Sequence, residues 1–270
     1  MTEPGRDRHL LPRAEFVQSL ERGLAVIRAF SAERSALTLN EVAEVTGLSR
    51  ATVRRFLLTL ESLGYVAREQ RQFSLRPRVL ELGYAYLSSI SVAEIAQDRL
   101  EGLATELHES CSASVLDAPD IVYIARAATS RIMSITLAVG SRLPAYATSM
   151  GRNLLAHQEP SVIDEYFRTA ELKQLTSRTE VGEVTLRRIL DTVREQGWAV
   201  IDQELEDGVR SVAVPIHGKG DRVIAAINAS AHAGRVSLKT LTTRFLSLLQ
   251  EAARDIDTEL GARVVDWRAQ

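Results

Sequence analysis

Residues 49 to 55 carry the side chains of this chain that are best suited to reading nucleic acid. Guanidinium groups, hydroxyls and a methyl group share one side of a predicted helix, whose other side is apolar at Val53, Phe56, Leu57 and Leu60. Guanidinium groups bind guanine edges and phosphates, and a methyl group fits thymine in the major groove. We therefore predict DNA contacts from this segment, at Ser49, Arg50, Ala51, Thr52, Arg54 and Arg55.

The preceding residues decide between a DNA-reading helix and an ordinary amphipathic helix with a solvated basic face. Thr38 and Glu41 have the spacing of a capping box, which predicts a short helix over 39–46. Gly47 then suits the left-handed turn that ends such a helix. A helix-turn-helix needs a small residue where its two helices cross, a residue that tolerates the turn, and an apolar residue on the inner face of the second helix. Ala43, Gly47 and Val53 occupy these three positions at the expected separations.

A predicted hairpin follows the basic helix. Residues 65–68 and 72–75 have the pattern of two short strands around a polar turn. A further helix precedes the capped one over 16–30, with an expected apolar stripe at Leu20, Leu24, Ile27 and Phe30. Helix, capped helix, turn, basic helix and hairpin in this order predict a winged helix-turn-helix that binds DNA. The remaining contacts that we predict are Thr38, Arg68 and Arg71, because a wing tip can follow the phosphate backbone.

Length and charge favour two domains with different partners. The chain has 270 residues, and residues 1–78 carry a net charge of +4 while the remainder carries −6. A basic first domain and an acidic second one indicate that only the first meets a polyanion. We expect a soluble, cytoplasmic protein, since the sequence has no apolar run of about 18 residues and no export signal.

Cysteine and histidine usage predicts neither a disulfide nor a metal site. Cys111 is the single cysteine of the sequence, so it cannot form an internal disulfide. His108 lies three residues before it, but no second pair at zinc spacing follows. We expect no metal and no cofactor.

The second domain reads as α+β with a mainly antiparallel sheet, because hairpin-connected strands alternate with grouped helices. Pro77 suits the first position of a helix, and residues 78–88 are unusually apolar for such a short element. Helices are predicted over 93–107 and 185–196, followed by a long closing helix capped by Ser237. Strands are predicted over 112–116, 121–126, 133–139, 198–202, 210–216 and 223–229.

Three segments resemble the IclR family of bacterial transcription regulators. They are GSRLPAYATSMGRNLLA over 140–156, REQGWAVIDQELEDGVRSVAVPI over 194–216, and RVIAAINASA over 222–231. The resemblance implies a GAF-like α/β effector-binding domain behind the winged helix-turn-helix, and a homodimer or homotetramer. The domain boundaries that we predict are a tail over 1–15, a DNA-binding domain over 16–76, a linker helix over 77–91 and an effector domain over 92–265.

The same resemblance implies an effector cleft near the central sheet. Ser149, Met150 and Gly151 open a helix whose free amides suit a carboxylate. The other positions that match the family's pocket are Asp202, Glu204, Ser211, Asn228 and Ser230. Some relatives have a cysteine where this sequence has Ser211, which weakens the transfer of their ligand chemistry. Arg126 is a further candidate for pairing with an aromatic carboxylate, although a strand-end arginine more often forms a surface or structural ion pair.

Residues 124–152 are most similar to the branch of the family that regulates aromatic acid breakdown through the β-ketoadipate pathway. This branch implies protocatechuate, 4-hydroxybenzoate or β-ketoadipate as the effector. The alternative branch resembles the glyoxylate-shunt repressor and implies a small keto acid such as glyoxylate or pyruvate.

Two other readings of the second domain are open. Residues 148–151 superficially match a hydrolase nucleophile elbow, but Ala147 stands at its first glycine position. A domain that acts through protein contacts alone would leave the basic helix unexplained. The acidic run over 202–207 would suit a cation, although a solvated loop or a set of ligand and dimer contacts explains it more simply.

Overall fold

The computed structural model describes residues 16–31, 34–82, 91–128 and 137–266 of the chain. It divides into two compact units, Met1–Tyr86 and Leu87–Gln270. The division falls inside the segment predicted to be the linker helix. Within that segment a 3-10 helix covers Pro77–Leu80, and residues 83–90 of the predicted element lie outside the described residues.

The first unit is a winged helix-turn-helix. Its three short strands form one antiparallel sheet in the order β1-β3-β2. In chain order, its elements are α1 (Gln18–Arg28), β1 (Ala36–Thr38), α2 (Leu39–Thr46), α3 (Arg50–Ser62), β2 (Val66–Glu69) and β3 (Gln72–Leu75).

Local capping sets the bounds of α2 and α3. The Thr38 hydroxyl accepts from the Glu41 amide, and the Glu41 carboxylate accepts from the Thr38 amide at 2.7 Å. These hydrogen bonds from Thr38 lower the pKa of the Glu41 carboxyl from its ordinary value of 4.5. Gly47 ends α2 with a φ of 65°, and Ser49 caps α3 by accepting from the Thr52 amide. The predicted capping box and turn are confirmed.

The predicted first helix is confirmed as α1, but its apolar stripe is only partly buried in this unit. Leu20 and Leu24 are 63% and 46% exposed, whereas Val26 and Ala29 are fully buried. Only the second half of the stripe, Ile27 and Phe30, contacts the core of this unit. Sequence analysis also missed β1, because a strand of three residues has too little pattern to be recognised.

The second unit is built on a six-stranded sheet in which all neighbours are antiparallel, in the order β6-β5-β4-β9-β8-β7. The strands are β4 (Ser110–Asp117), β5 (Asp120–Ala127), β6 (Arg142–Pro144), β7 (Ala199–Asp202), β8 (Val209–His217) and β9 (Val223–His232). The helices are α4 (Ser91–Leu107), α5 (Ser149–Ala156), α6 (Pro160–Thr169), α7 (Glu183–Gln196) and α8 (Leu246–Asp266). A short helical turn, Leu238–Thr240, and a π-helix, Leu241–Phe245, lead into α8. The predicted α+β class is confirmed.

The two faces of this sheet differ in polarity. One face is apolar and packs against α4 and α8, with Cys111, Val212 and Ile227 in its core. The other face packs against α5 and α7 and carries polar side chains in cross-strand register. Ser112 lies opposite Asn228, and Ser211 lies opposite Ser230. The polar face is therefore the one that can hold a small molecule.

A β-bulge in β5 changes which of its side chains meet the polar face. Ala113 pairs with Ala125 and Ser114 pairs with Tyr123, so Ile124 is the extra residue. A bulge reverses the alternation of side chains at that point. Tyr123 and Arg126 consequently share a face, although they are three positions apart and regular alternation would place them on opposite faces.

One predicted strand differs from the structure. Residues 133–136 of the expected strand 133–139 lie outside the described residues, and residues 137–139 are not in a strand. Within the described ranges, the next strand after β5 is the short β6, which pairs through Leu143 with Ile121.

Candidate DNA-reading surface and effector cavity

The predicted contact residues of α3 lie on its exposed side. Arg50, Ala51, Arg54 and Arg55 are exposed, and Thr52 is half-buried beneath the Ser49 cap. The opposite side of the helix packs into the core of the unit through Val53, Leu57 and Leu60. The helix therefore offers a continuous basic and polar surface to a partner.

A groove of about 360 Å³ lies between α3 and the wing. Arg54 lines it from α3, and Arg68 and Arg71 line it from the wing, with Phe73 at its base. The Arg68 guanidinium lies 5.7 Å from the centroid of the Phe73 ring, and its Nε donates to the Gln70 carbonyl oxygen at 3.4 Å. The cation–π contact with Phe73 restrains the Arg68 side chain, so its guanidinium is held at the groove.

Thr38 also lines this groove, but its hydroxyl belongs to the capping box. Its direct role is thus to fix the start of α2. Asn40, in the first turn of α2, lines the same groove and is exposed. Sequence analysis missed it, because its position beside the wing depends on tertiary packing.

A cavity of about 30 Å³ lies on the polar face of the second sheet, where the sequence predicts the effector site. Ser211, Asn228 and Ser230 line it from β8 and β9, which brings three of the predicted residues together. Asn228 donates through Nδ2 to the Ser230 hydroxyl at 3.1 Å. The remaining described lining residues are Tyr123, Leu137, Ala147, Thr148, Ile201, Leu205, Glu206 and Val209.

Thr148, the N-cap of α5, lines this cavity, whereas Ser149, Met150 and Gly151 are not among its described lining residues. Thr148 is the N-cap and accepts from the Gly151 amide at 3.1 Å, so that amide is already used. The Ser149 and Met150 amides belong to the first turn, which offers them no acceptor within the helix. The Ser149 hydroxyl lies 2.8 Å from the Ser211 hydroxyl across the helix–sheet contact. The Met150 side chain is fully buried, and its sulfur accepts from the Ser114 hydroxyl at 3.3 Å.

Gly151 has a packing role. A Cβ at this position would overlap the carbonyl oxygen and the Cα of Ala145. Glycine therefore lets α5 lie directly against the turn that precedes it.

Arg126 is half-buried and donates to the Ser112 hydroxyl at 3.2 Å. It stands on the polar face and is separated from Asn228 by β4, but it is not among the described residues that line the cavity. Tyr123 does line the cavity, and burial raises its pKa to about 12. Its hydroxyl therefore stays protonated at neutral pH and is able to donate a hydrogen bond.

Asp202 and Glu204 are held in ion pairs and do not line the cavity. Asp202 accepts from Arg210 at 2.9 Å and also pairs with Arg178. Glu204 forms a bidentate pair with Arg152, with N–O distances of 2.8 and 2.5 Å, and Arg152 is 3% exposed. The pair ties the β7–β8 loop to α5.

The acid that does line the cavity is Glu206, in the same loop. The sequence places it in an acidic run, but which member of the run faces the sheet depends on the loop conformation. That conformation is fixed by positive φ angles at Gln203 and Gly208 and by a hydrogen bond from the Gln203 amide to the Val209 carbonyl oxygen. No local sequence pattern reveals these angles for a non-glycine residue such as Gln203.

A winged helix-turn-helix with a basic reading helix, together with an α+β unit that encloses a polar cavity, defines a ligand-responsive DNA-binding regulator. The chain belongs to the IclR family of bacterial transcriptional regulators. The model of the IclR helix-turn-helix domain matches residues 19–70, and that of the bacterial transcriptional regulator IclR C-terminal domain matches residues 84–258. Both predicted domain types are confirmed, and the hydrolase alternative is not supported.

Individual relatives extend this result over most of the chain. The Pca regulon regulatory protein of Pseudomonas putida is 48% identical over 247 residues, which are 91% of this chain and 85% of the relative. A crystal structure of a transcriptional regulator from Rhodococcus sp. RHA1 has a TM-score of 0.81 and 50% identity, covering 92% of this chain and 99% of that chain. An IclR homologue from Microbacterium hydrocarbonoxydans, solved with 4-hydroxybenzoate, has a TM-score of 0.80 and 26% identity. The match covers 90% of this chain and 99% of that chain.

Among the described residues, no helix is both long and apolar enough to span a membrane. The same part of the chain contains no group of three or more His, Cys, Asp or Glu side chains that could hold a metal ion. Cys111 is buried on the apolar face of the sheet, where burial raises its pKa to about 12. Its thiol is therefore not a reactive thiolate at neutral pH.

Proposed function

We propose that this regulator binds a small aromatic carboxylate in the cavity of its second unit and thereby controls genes of aromatic acid catabolism in the β-ketoadipate pathway. The observation that carries the proposal is the cavity itself, in which the start of a helix and a cluster of hydroxyls lie beside apolar walls. Such a cavity suits a ligand with one charged end and one flat apolar ring. The Microbacterium homologue, solved with 4-hydroxybenzoate, supports this class of ligand, and the Pseudomonas relative, named a Pca regulon regulatory protein, supports the regulatory role.

The carboxylate is proposed to lie at the start of α5. The amides of Ser149 and Met150 point their partial positive charge toward it. The hydroxyls of Ser211 and Ser230 supply further donors from the sheet. Arg126 stands on the same face but outside the described lining, and its guanidinium donates to the Ser112 hydroxyl.

Binding must enlarge the cavity. Its volume of about 30 Å³ suits a water-sized guest, whereas ligand sites usually have at least roughly 300 Å³. We therefore propose that the lining side chains move apart when the effector enters. This movement would be the local change that alters the state of the regulator.

Calorimetric titration tests the effector proposal. Protocatechuate and 4-hydroxybenzoate are expected to bind saturably, and Ser149→Ala and Ser230→Ala to weaken that binding. Ser177→Ala is the matched control, because Ser177 is exposed and lies outside the cavity. Binding of glyoxylate or pyruvate alone would favour the alternative, a keto-acid-responsive member of the family.

The second part of the proposal assigns roles on the DNA. We propose that Arg54 and the wing arginines bind phosphates, because they line one groove, and that Arg55 and Ala51 at the centre of the exposed side of α3 read bases. Arg54→Ala should then weaken binding to all sequences and lower the slope of log K against log salt by about 0.9. Arg55→Ala should instead relax sequence preference at one base pair.

Mobility-shift titrations at several salt concentrations distinguish these effects. Arg28→Ala removes the same charge from an exposed position on α1 and serves as the control. Wild-type DNA affinity in both Arg54→Ala and Arg55→Ala would refute the assigned surface. Effector affinity should be unchanged in either variant.

We propose finally that the regulator acts as a homodimer or homotetramer. The support is the apolar side of α1, where Val17, Leu20 and Leu24 are 60%, 63% and 46% exposed. Apolar side chains grouped in this way commonly mark an interface. Sedimentation of the wild type and of a Leu20→Glu, Leu24→Glu double variant tests this, and a monomeric wild type at micromolar concentration would contradict it.

A further inference from the structure

The cavity contains two acceptor oxygens to which the described part of the chain supplies no donor. Among the described residues, Glu206 Oε2 and Asn228 Oδ1 are buried without a hydrogen-bond partner, and both side chains line the cavity. Asn228 is 4% exposed, and its Nδ2 atom is engaged by Ser230. The two acceptors reach the cavity from different elements, Glu206 from the β7–β8 loop and Asn228 from β9.

The unpaired buried acceptors favour a ligand that brings a hydrogen-bond donor. A buried oxygen that has lost its water without gaining a donor is destabilising, and a carboxylate more so than an amide. A guest that brings an O–H group restores the missing hydrogen bond. Because an O–H···O⁻ bond to a carboxylate is charge-assisted, it is about twice as strong as a neutral one.

The charge of the lining limits the guest in a second way. Glu206 is the only carboxylate among the described lining residues, and none of them is Lys, Arg or His. A ligand with one carboxylate can place it at the start of α5 and present an uncharged hydroxyl to Glu206. A dicarboxylate would have no cation in this lining for its second charge and would be repelled by Glu206.

We infer that Glu206, together with Asn228, is the specificity determinant that selects a monocarboxylate bearing a phenolic hydroxyl. The hydroxyl donates to Glu206 or Asn228, while the carboxylate lies at the start of α5. The cavity therefore favours hydroxybenzoates over both benzoate and the dicarboxylate β-ketoadipate. This inference rests on the proposed aromatic acid effector and narrows its chemistry.

Calorimetric titration of the full chain with four acids tests the inference. The acids are 4-hydroxybenzoate, protocatechuate, benzoate and β-ketoadipate. In the wild type, benzoate and β-ketoadipate should each bind at least about tenfold more weakly than 4-hydroxybenzoate, as expected for a lost hydrogen bond to a charged group. In Glu206→Gln, the ratio of the 4-hydroxybenzoate to the benzoate affinity should fall at least about threefold, because Gln keeps the shape but loses the charge.

Asp207→Asn is the control, since it removes the same charge from the adjacent, exposed position. This variant should keep the wild-type ratio of affinities, and circular dichroism should show that each variant is folded. Equal binding of benzoate and 4-hydroxybenzoate by the wild type would overturn the inference while leaving the aromatic effector in place. An unchanged ratio in Glu206→Gln, or tightest binding of β-ketoadipate, would also overturn it. No binding of any acid would overturn both the inference and the proposed effector.

Discussion

Arg152 and Glu204 show how a single pair of charges can hold the wall of a cavity. Arg152 is almost fully buried in α5, and its guanidinium also donates to the Tyr146 carbonyl oxygen at 2.8 Å. Glu204 in turn accepts from the Glu180 amide at 3.0 Å. The pair therefore joins α5, the β7–β8 loop and the segment before α7 at one point.

Glu204→Gln should destabilise the second unit by about 3 kcal/mol, because it leaves a buried guanidinium without its counter-charge. The measurement is the free energy of unfolding in urea, followed by tryptophan fluorescence. Glu171→Gln is the control, since its pair with Lys173 has side chains that are 78% and 63% exposed, and such pairs contribute little. Equal losses in the two variants would mean that the buried pair carries no special weight.

The capping box at Thr38 predicts a pH effect. The pKa of Glu41 is lowered in the folded state, so its contribution to stability is complete above the ordinary value of 4.5 and is lost as the pH falls through the folded value. The loss of stability in Thr38→Ala should therefore be largest at neutral pH and shrink below pH 4.5. Ser49→Ala removes a cap whose helix has no acid in its first turn, so its loss should not vary with pH.

Denaturation followed by circular dichroism, over a series of pH values, measures both cap variants. Parallel stability curves for Thr38→Ala and Ser49→Ala would show that Glu41 is not coupled to the cap.

Part of the site was predictable at the residue level, and part was not. Ser211, Asn228 and Ser230 followed from the matched segments, and strand alternation places Asn228 and Ser230 on one face. Glu206 was not predictable, because its direction depends on backbone angles inside a six-residue loop. Ion pairing of Asp202 and Glu204 depends on arginines distant in sequence, which no local spacing indicates.

At the level of elements, two glycine-to-alanine variants should change the stability of the second unit in opposite directions. Gly151→Ala should destabilise the second unit by at least about 1–3 kcal/mol, since its Cβ would overlap the backbone of Ala145. Gly102→Ala should stabilise α4 by about 1 kcal/mol, because nothing lies within 4 Å of the added Cβ and Ala is the better helix former.

Thermal and urea unfolding of the two glycine variants provide the comparison. A neutral Gly151→Ala would indicate that α5 can move away from the turn at little cost. The cavity volume would then be easier to enlarge than the packing suggests.

Elements with strong local signals were predicted well, and elements without them were not. Caps and a turn glycine fixed α2 and α3, so their predicted bounds agree closely with the structure. The three-residue strands β1 and β6 pair with distant or short partners and carry too few residues for a period to be visible. The apolar stripe of α1 was read with the right period, but sequence alone does not say which of its residues meet the core of the unit and which stay exposed.

At the level of the whole molecule, the two units should respond separately to their ligands. A saturating effector at roughly 100 times its dissociation constant stabilises the unit that binds it by about 2.7 kcal/mol. Scanning calorimetry should therefore show that 4-hydroxybenzoate raises the unfolding temperature of the second unit. Operator DNA should raise the unfolding temperature of the first unit. A shift of both transitions by one ligand would indicate that the units unfold together.

Substitutions on the two faces of the six-stranded sheet should have different effects. Residues such as Val212 and Ile227 fill the apolar side, where a change in volume costs stability. Ser211, Asn228 and Ser230 occupy the other side of the same strands and line the cavity. Under the proposed function, exchange of one polar group for another on this side would alter ligand preference more than the core, so directed evolution toward new inducers should start from these positions.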